Sequence, residues 1–188
     1  MKFRPCIDLH QGKVKQIVGS TLSNNSSKNL ITNFISEQSA AWYAKLYRKD
    51  HLSGGHMIQL GNGNETSAKQ ALSAWPNGLQ IGGGINSENA QKWLEAGASK
   101  VIITSHIFNN GEIHFDRLKY LSDLIGKEQL VLDLSCRKLN NQYFIVTDRW
   151  QKFTKVTVDH QSLDFFARYC SEFLIHAVDV EGKNNGIE

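Results

Sequence analysis

Leu130-Val131-Leu132-Asp133-Leu134 is an apolar run with a carboxylate near its end, and Pro5-Cys6-Ile7-Asp8-Leu9 is nearly the same run at the start of the chain. Short runs of Val, Leu and Ile without polar alternation read as strands covered on both faces. Asp8 and Asp133 then each stand where a buried strand gives way to a loop.

Four more runs have this character: His56–Leu60, Leu79–Ile81, Lys100–Thr104 and Phe173–Asp179. With Phe3–Leu9 and Gln129–Leu134 they make six strands. Helical patterns lie between them. Ala40, Tyr43, Ala44 and Tyr47 share one face of Glu37–Arg48, and Ala68, Ala71, Leu72 and Trp75 share another before Pro76 stops that helix. Ser87 is placed to N-cap a helix carrying Ala90, Trp93 and Leu94, with Gly97 as its stop. Leu118, Leu121 and Ile125 line a helix ending at Gly126, and a further helical pattern covers about Ser162–Tyr169. Strands alternating with helices of this length imply parallel βαβ units. The two aspartates are about 125 residues apart, half the length of a typical (β/α)8 barrel. The fold class expected is therefore α/β of the (β/α)8 TIM-barrel type, with six of eight strand–helix units, as one partial-barrel domain over residues 1–188. Two uncompleted edges would then template self-association. The polar stretch Ser20–Lys28 reads as a mobile loop, and Asn140-Asn141 as the turn of a hairpin inserted after the fifth strand.

Composition narrows the function classes. Of 188 residues, 40% are hydrophobic and 21% charged, ordinary for a globular domain, and the net charge of +3 comes without a basic cluster, so a nucleic-acid surface is not expected. No apolar stretch is long enough to span a bilayer, and the N-terminus lacks the pattern of a secretory signal. Three cysteines, Cys6, Cys136 and Cys170, form no CxxC pair and read as reduced, buried thiols of a cytoplasmic protein. The seven histidines show no metal-ligand spacing, so no metal is expected.

Gly82-Gly83-Gly84 follows the third strand directly. Such a turn lets backbone amides approach a phosphate, or it is simply a tight turn. It lacks the GxGxxG spacing of a dinucleotide site and any Walker lysine. The Thr104 and Ser105 hydroxyls end the fourth strand and either complete a phosphate cradle or bond to nearby backbone. Asp8 and Asp133 either cap local turns or act as a base and an acid, which would require environments that keep one ionised and the other protonated. Trp150 is either a core residue or a stacking platform.

Cys6-Ile7-Asp8-Leu9-His10-Gln11-Gly12-Lys13-Val14-Lys15-Gln16-Ile17-Val18-Gly19 resembles the opening of the phosphoribosylformimino aminoimidazole carboxamide ribotide isomerases of histidine biosynthesis, in their eukaryotic form. Tyr43–Tyr47, Gln80–Asn86, Ser99–Ile102, Val131–Lys138 and Phe173–Ala177 extend the resemblance in order along the chain. It implies a (β/α)8 barrel with two-fold internal repetition and a cofactor-free Amadori rearrangement of a bisphosphorylated aminoaldose to its aminoketose. Carried over, Asp8 is the base removing the sugar C2 proton. Asp133 is the acid assisting ring opening and protonating the intermediate. Gly83, Gly84, Thr104 and Ser105 match one of two phosphate sites, Trp150 the loop residue that stacks on the imidazole, and Asp179 a substrate contact. The resemblance implies a small-molecule partner, no nucleic acid, no membrane and a monomeric complete form. Asn86 stands where many bacterial members have arginine, and the seventh and eighth strands, which carry the second phosphate site, do not appear before Glu188. Two rivals share these features: the cyclase subunit of imidazole glycerol phosphate synthase, and an inactive phosphate-binding remnant. Leu9-His10 after Asp8, Ser135-Cys136-Arg137 after the second aspartate pair, and Trp150 favour the isomerase.

Overall fold

The computed structural model describes residues 2–17 and 32–180; the expected loop at Ser20–Lys28 and the residues from 181 onward lie outside the described residues. The described residues fall into two compact units, 2–16 with 34–102, and 103–180 with 17 and 32–33.

The first unit contains strands β1 (Cys6–His10), β2 (Lys13–Ile17), β3 (Thr32–Ile35), β4 (Gly55–Gln59), β5 (Leu79–Gly82) and β6 (Val101–Ile103), and helices α1 (Ala40–Lys49), α2 (Glu65–Ala74) and α3 (Ala90–Glu95). Their order in the sheet is β3-β2-β1-β4-β5-β6. β1, β4, β5 and β6 run parallel, with Ile7 opposite Met57 and Met57 opposite Ile81. These three side chains are buried, each worth about 1.5–3 kcal/mol relative to exposure. α1 starts later than its apolar pattern suggests because the Ser39 side chain accepts from the Trp42 amide and sets the first turn. α2 buries Ala68, Ala71 and Leu72 and ends where expected, with Trp75 as its C-cap before Pro76. β2 is an addition to the expected strands. It returns antiparallel to β1 through a turn whose Gln11 and Gly12 both have positive φ, 54° and 74°, the requirement of a two-residue hairpin. Its signal was the alternation Lys13-Val14-Lys15, with Val14 buried.

The second unit holds the hairpin β7 (Phe108–Asn109) and β8 (Glu112–Ile113), helix α4 (Phe115–Ile125), strands β9 (Leu130–Leu139), β10 (Gln142–Thr147) and β11 (Lys152–Thr157), helix α5 (His160–Phe166) and strand β12 (Glu172–Ala177). β12 pairs parallel with β9, Leu174 opposite Asp133 and His176 opposite Ser135. β9 runs five residues past the expected Leu134. The hairpin with β10 turns at Asn140-Asn141 as anticipated, with φ of 50° and 62°. β11 was not anticipated: it pairs antiparallel with β10 through a bulge, so the insertion is a three-stranded meander. α4 ends at Gly126, φ 81°, as read. α5 starts at a capping box in which Asp159 and Ser162 bond reciprocally to each other's backbone amides.

All six strands read from the chain are present, and their pairings within each unit are parallel. Cover on both faces fails at β12, where Ile175 is 49% exposed; among the described residues no helix follows β12 to lie over it. Asp179 is also not a strand-end residue. β12 stops at Ala177, and Asp179 lies in the turn beyond, which the Val180 N–H closes by donating to the Ala177 carbonyl.

Candidate active site

In the first unit, Ile7 and Leu9 are buried, so the alternation of β1 turns Asp8 to the opposite face, where it is half-buried. Asp8 is in register with Ile58, and Ile58 with Gly82. The carboxylate and the start of the glycine turn therefore stand at one level at the C-terminal ends of parallel strands, the position where open and closed α/β folds place their ligands. The Cys6 thiol lies 3.3 Å from Asp8 Oδ1 and donates to it. Two residues on, Lys15 Nζ approaches His10 Nδ1 at 3.0 Å. Burial, reinforced by the Lys15 charge, holds His10 below the ordinary histidine range, which favours the neutral ring with Nδ1 accepting a hydrogen bond from the Lys15 ammonium.

The glycines divide the two readings between them. A Cβ on Gly83 would sit 2.1 Å from the Gln59 carbonyl oxygen, and one on Gly82 would sit 2.7 Å from the Ile58 side chain; both positions are packed strand contacts. Gly84, at φ +70°, has no atom within 4 Å of where a Cβ would point. That is open space beside backbone that a ligand can approach.

Ser87 is not the cap of α3. Residues 87–89 form a turn, and the helix begins at Ala90. Asn86 Oδ1 accepts from the amides of Glu88 at 2.9 Å and Asn89 at 3.2 Å, while Asn89 Oδ1 accepts from the Asn86 amide and Asn89 Nδ2 donates to the Gly84 carbonyl. A carboxamide two or three residues upstream reaches these amides where a serine inside the turn cannot. Asn86 thus secures the exit of the glycine turn rather than offering an ionic group. Asn86→Ala is expected to lower stability by about 1 kcal/mol, in line with loss of a cap, read as a shift of the urea midpoint with unchanged slope.

In the second unit, Asp133 is half-buried on β9 and both of its oxygens accept hydroxyl hydrogens: Thr104 Oγ1 donates to Oδ2 and Ser135 Oγ to Oδ1, each at 3.1 Å. Ser135 Oγ also accepts from the Trp150 indole Nε1 at 3.3 Å and lies 3.4 Å from His176 Nδ1. The Trp150 ring stands edge-on to the His176 ring, centroids 5.3 Å apart. Trp150 belongs to a turn in which Asp148, Arg149 and Trp150 have φ of 53°, 55° and 68°. Three successive non-glycine residues in the left-handed region cost about 1–3 kcal/mol each and persist only where surrounding contacts impose them. One such contact is visible: the Gly111 amide donates to Thr147 Oγ1, which donates to Asp148 Oδ2. Ser105 is exposed, its carbonyl accepting from Asn109 Nδ2. Asp179 accepts from Arg137 Nε at 2.8 Å.

Within the first unit, then, Asp8 and the Gly83-Gly84 turn stand at one level of the sheet with β4 between them. Within the second, Thr104 bonds Asp133 directly and Trp150 is linked to it through Ser135, while Asp179 is engaged with Arg137. Sequence reading passed over Ser135 and His176; each lies in a stretch already quoted for its likeness, and both sit two residues after a strand position that the pleat turns to the same face. Among the described residues no three His, Cys, Asp or Glu side chains gather as a metal-ligand set.

Asp133 is not the strand-end residue the sequence suggested, because β9 continues to Leu139. Parallel strands alternating with helices, with a half-buried carboxylate on a strand of each unit and a glycine turn open to a ligand in the first, place the protein in the α/β (β/α)8-barrel class. The chain belongs to the histidine biosynthesis protein family, whose model matches residues 2–188. It is 55% identical over its whole length to the chloroplastic 1-(5-phosphoribosyl)-5-((5-phosphoribosylamino)methylideneamino) imidazole-4-carboxamide isomerase of Medicago truncatula, and it spans 62% of that protein. It is 52% identical to the isomerase of the same name from Neurospora crassa and 45% identical to that of Saccharomyces cerevisiae, spanning 74% and 72% of them. No helix among the described residues is long and apolar enough to cross a membrane.

Proposed function

We propose that this protein catalyses the isomerisation named by its relatives, the cofactor-free Amadori rearrangement of a bisphosphorylated aminoaldose to the aminoketose. The observation that carries this reading is the pair of aspartates closing matched apolar runs in a chain 55% identical to such an isomerase. Asp133 serves as the acid: its proton goes to the ring oxygen of the sugar, opening the ring to an imine at C1. Asp8 serves as the base: it removes the proton at C2, and the electron pair moves to form the enaminol. Reprotonation at C1 and loss of the C2 hydroxyl proton give the ketone, so no atom is gained or lost. Each properly placed acid or base is worth about 10²–10⁴-fold in rate.

In its resting arrangement Asp133 receives two hydroxyl hydrogens, and when it carries a proton on Oδ2 the Thr104 hydroxyl can turn and accept it while Ser135 still donates to Oδ1. A rotating hydroxyl does this without moving the backbone. Gly83 and Gly84, and Thr104 and Ser105, are assigned to phosphate recognition; the open space beside Gly84 supports that role for the glycine turn. Trp150 is assigned to the imidazole face and Asp179 to a substrate contact. The three cysteines, none in a disulfide, accord with a cytoplasmic compartment.

The test is turnover of the bisphosphorylated aminoaldose by the full-length protein. Conversion to the aminoketose without added cofactor or metal is expected. Binding without conversion at high protein concentration would leave only a phosphate-binding role and overturn the reading.

A further inference from the structure

We propose that Ser135 is a positioning residue for this reaction: its hydroxyl orients the Asp133 carboxyl and at the same time fixes the ring of His176 in the Nδ1–H tautomer. The inference rests on the reading of Asp133 as the acid, and it concerns residues of the second unit alone.

The argument is an account of one proton and two lone pairs. Ser135 is 2% exposed, so its hydroxyl must find its partners within the protein. An ionised carboxylate accepts only, so the hydroxyl proton goes to Asp133 Oδ1 at 3.1 Å. Trp150 Nε1 can only donate, and it takes one lone pair at 3.3 Å. His176 Nδ1 faces the same oxygen at 3.4 Å. With the serine proton already committed, that contact is a hydrogen bond only if Nδ1 carries the hydrogen. The ring then keeps its other nitrogen, Nε2, as the acceptor. Register makes the arrangement reproducible: Ser135 and His176 are directly opposed on the parallel strands β9 and β12, and Asp133 and Ser135 point to one side of β9. The edge-on Trp150 ring, 5.3 Å from the imidazole, limits its rotation further.

The two longer contacts lie at the weak end of the hydrogen-bond range, as is common for groups that tighten when substrate arrives. Thr104 holds the second oxygen of Asp133, so removal of Ser135 takes away the hydrogen bond that orients Oδ1. The consequence is a loss of orientation at the acid rather than a loss of substrate affinity.

The experiment has two readouts on the full-length protein. The first is the ¹⁵N spectrum of histidine-labelled protein, with His176 assigned by comparison with His176→Asn. The neutral ring of His176 is expected as the Nδ1–H tautomer in the parent, and Ser135→Ala is expected to return it to the Nε2–H form favoured in water. The second is kinetic. Ser135→Ala is expected to lower kcat about tenfold to a hundredfold, the span for a lost hydrogen bond to a charged group, with KM within about threefold. Ser135→Thr keeps the hydroxyl on a strand that tolerates β-branching, and it is expected to recover most of kcat and the parent tautomer. Thermal unfolding of both variants monitors their fold.

An Nε2–H tautomer in the parent, or one unchanged in Ser135→Ala, overturns the proposal. So does a kcat for Ser135→Ala within twofold of the parent, in a protein whose Asp133→Asn variant is inactive. Full activity of Asp133→Asn would instead overturn the acid assignment, and the tautomer would then decide the geometric part separately.

Discussion

Asp8→Asn and Asp133→Asn are each expected to reduce turnover of the bisphosphorylated aminoaldose by about 10³-fold or more, the order contributed by a positioned acid or base. Asparagine keeps the shape and removes the ability to exchange a proton. The surroundings of both residues tolerate the change. At Asp8 the Cys6 thiol, 3.3 Å away, is a weak donor that an amide oxygen still satisfies. At Asp133 one oxygen becomes an NH₂ group, and either Thr104 or Ser135 rotates its hydroxyl to accept from it. Stability and substrate affinity should therefore change little, and kcat should carry the loss. Steady-state kinetics beside equilibrium binding of the substrate separate these quantities. Residual activity within tenfold of the parent for either variant refutes the role of that residue.

Gly83→Ala is expected to be among the most damaging single-methyl additions at the described glycines. Its Cβ would lie 2.1 Å from the Gln59 carbonyl oxygen and 2.7 Å from the Gln59 amide nitrogen. Both belong to the backbone of the neighbouring strand and cannot step aside as a side chain would. The residue also has φ +88°, where an L side chain is itself strained. Together these place the cost at about 3–5 kcal/mol, in the exceptional tail of single substitutions, and a large fall in the urea midpoint or a failure to fold is the expected result. Gly84→Ala is its control. It shares the positive φ but meets open space, so only the left-handed backbone penalty of about 1–2 kcal/mol applies. Its principal effect should be on KM, because the methyl occupies the space assigned to phosphate. Equal destabilisation by the two substitutions would contradict this division of labour.

Much of the secondary structure could be read from local pattern. All six strands overlap the apolar runs that placed them, and at five of them burial on both faces leaves that mark in any order of reading. α4 and its Gly126 stop, and the Asn140-Asn141 turn, were equally plain, since φ preference is a property of one or two residues. The pieces that escaped were those whose signal was weak or shared. β2 and β11 are half-polar strands, and the β7–β8 hairpin has two residues per strand. Ser87 looked like a cap because serine favours that position, yet Asn86 holds it through the reciprocal bonds with Asn89.

The site followed the same rule. Asp8, Asp133 and the glycine turn announce themselves by their place at the ends of apolar runs. The partners of Asp133 do not, because Thr104 is 29 residues from it and His176 is 41 from Ser135. Taken alone, the chain specifies its strands and helices, the order in which they come, the two carboxylates and the family to which they belong. Folding decides which hydroxyl proton each carboxylate receives, which of three glycines is packed and which faces open space, and which ring leans on Ser135. The reason is physical: periodicity records whether a residue is buried, whereas a hydrogen bond between distant residues depends on strand register, and register is set only when the whole face packs.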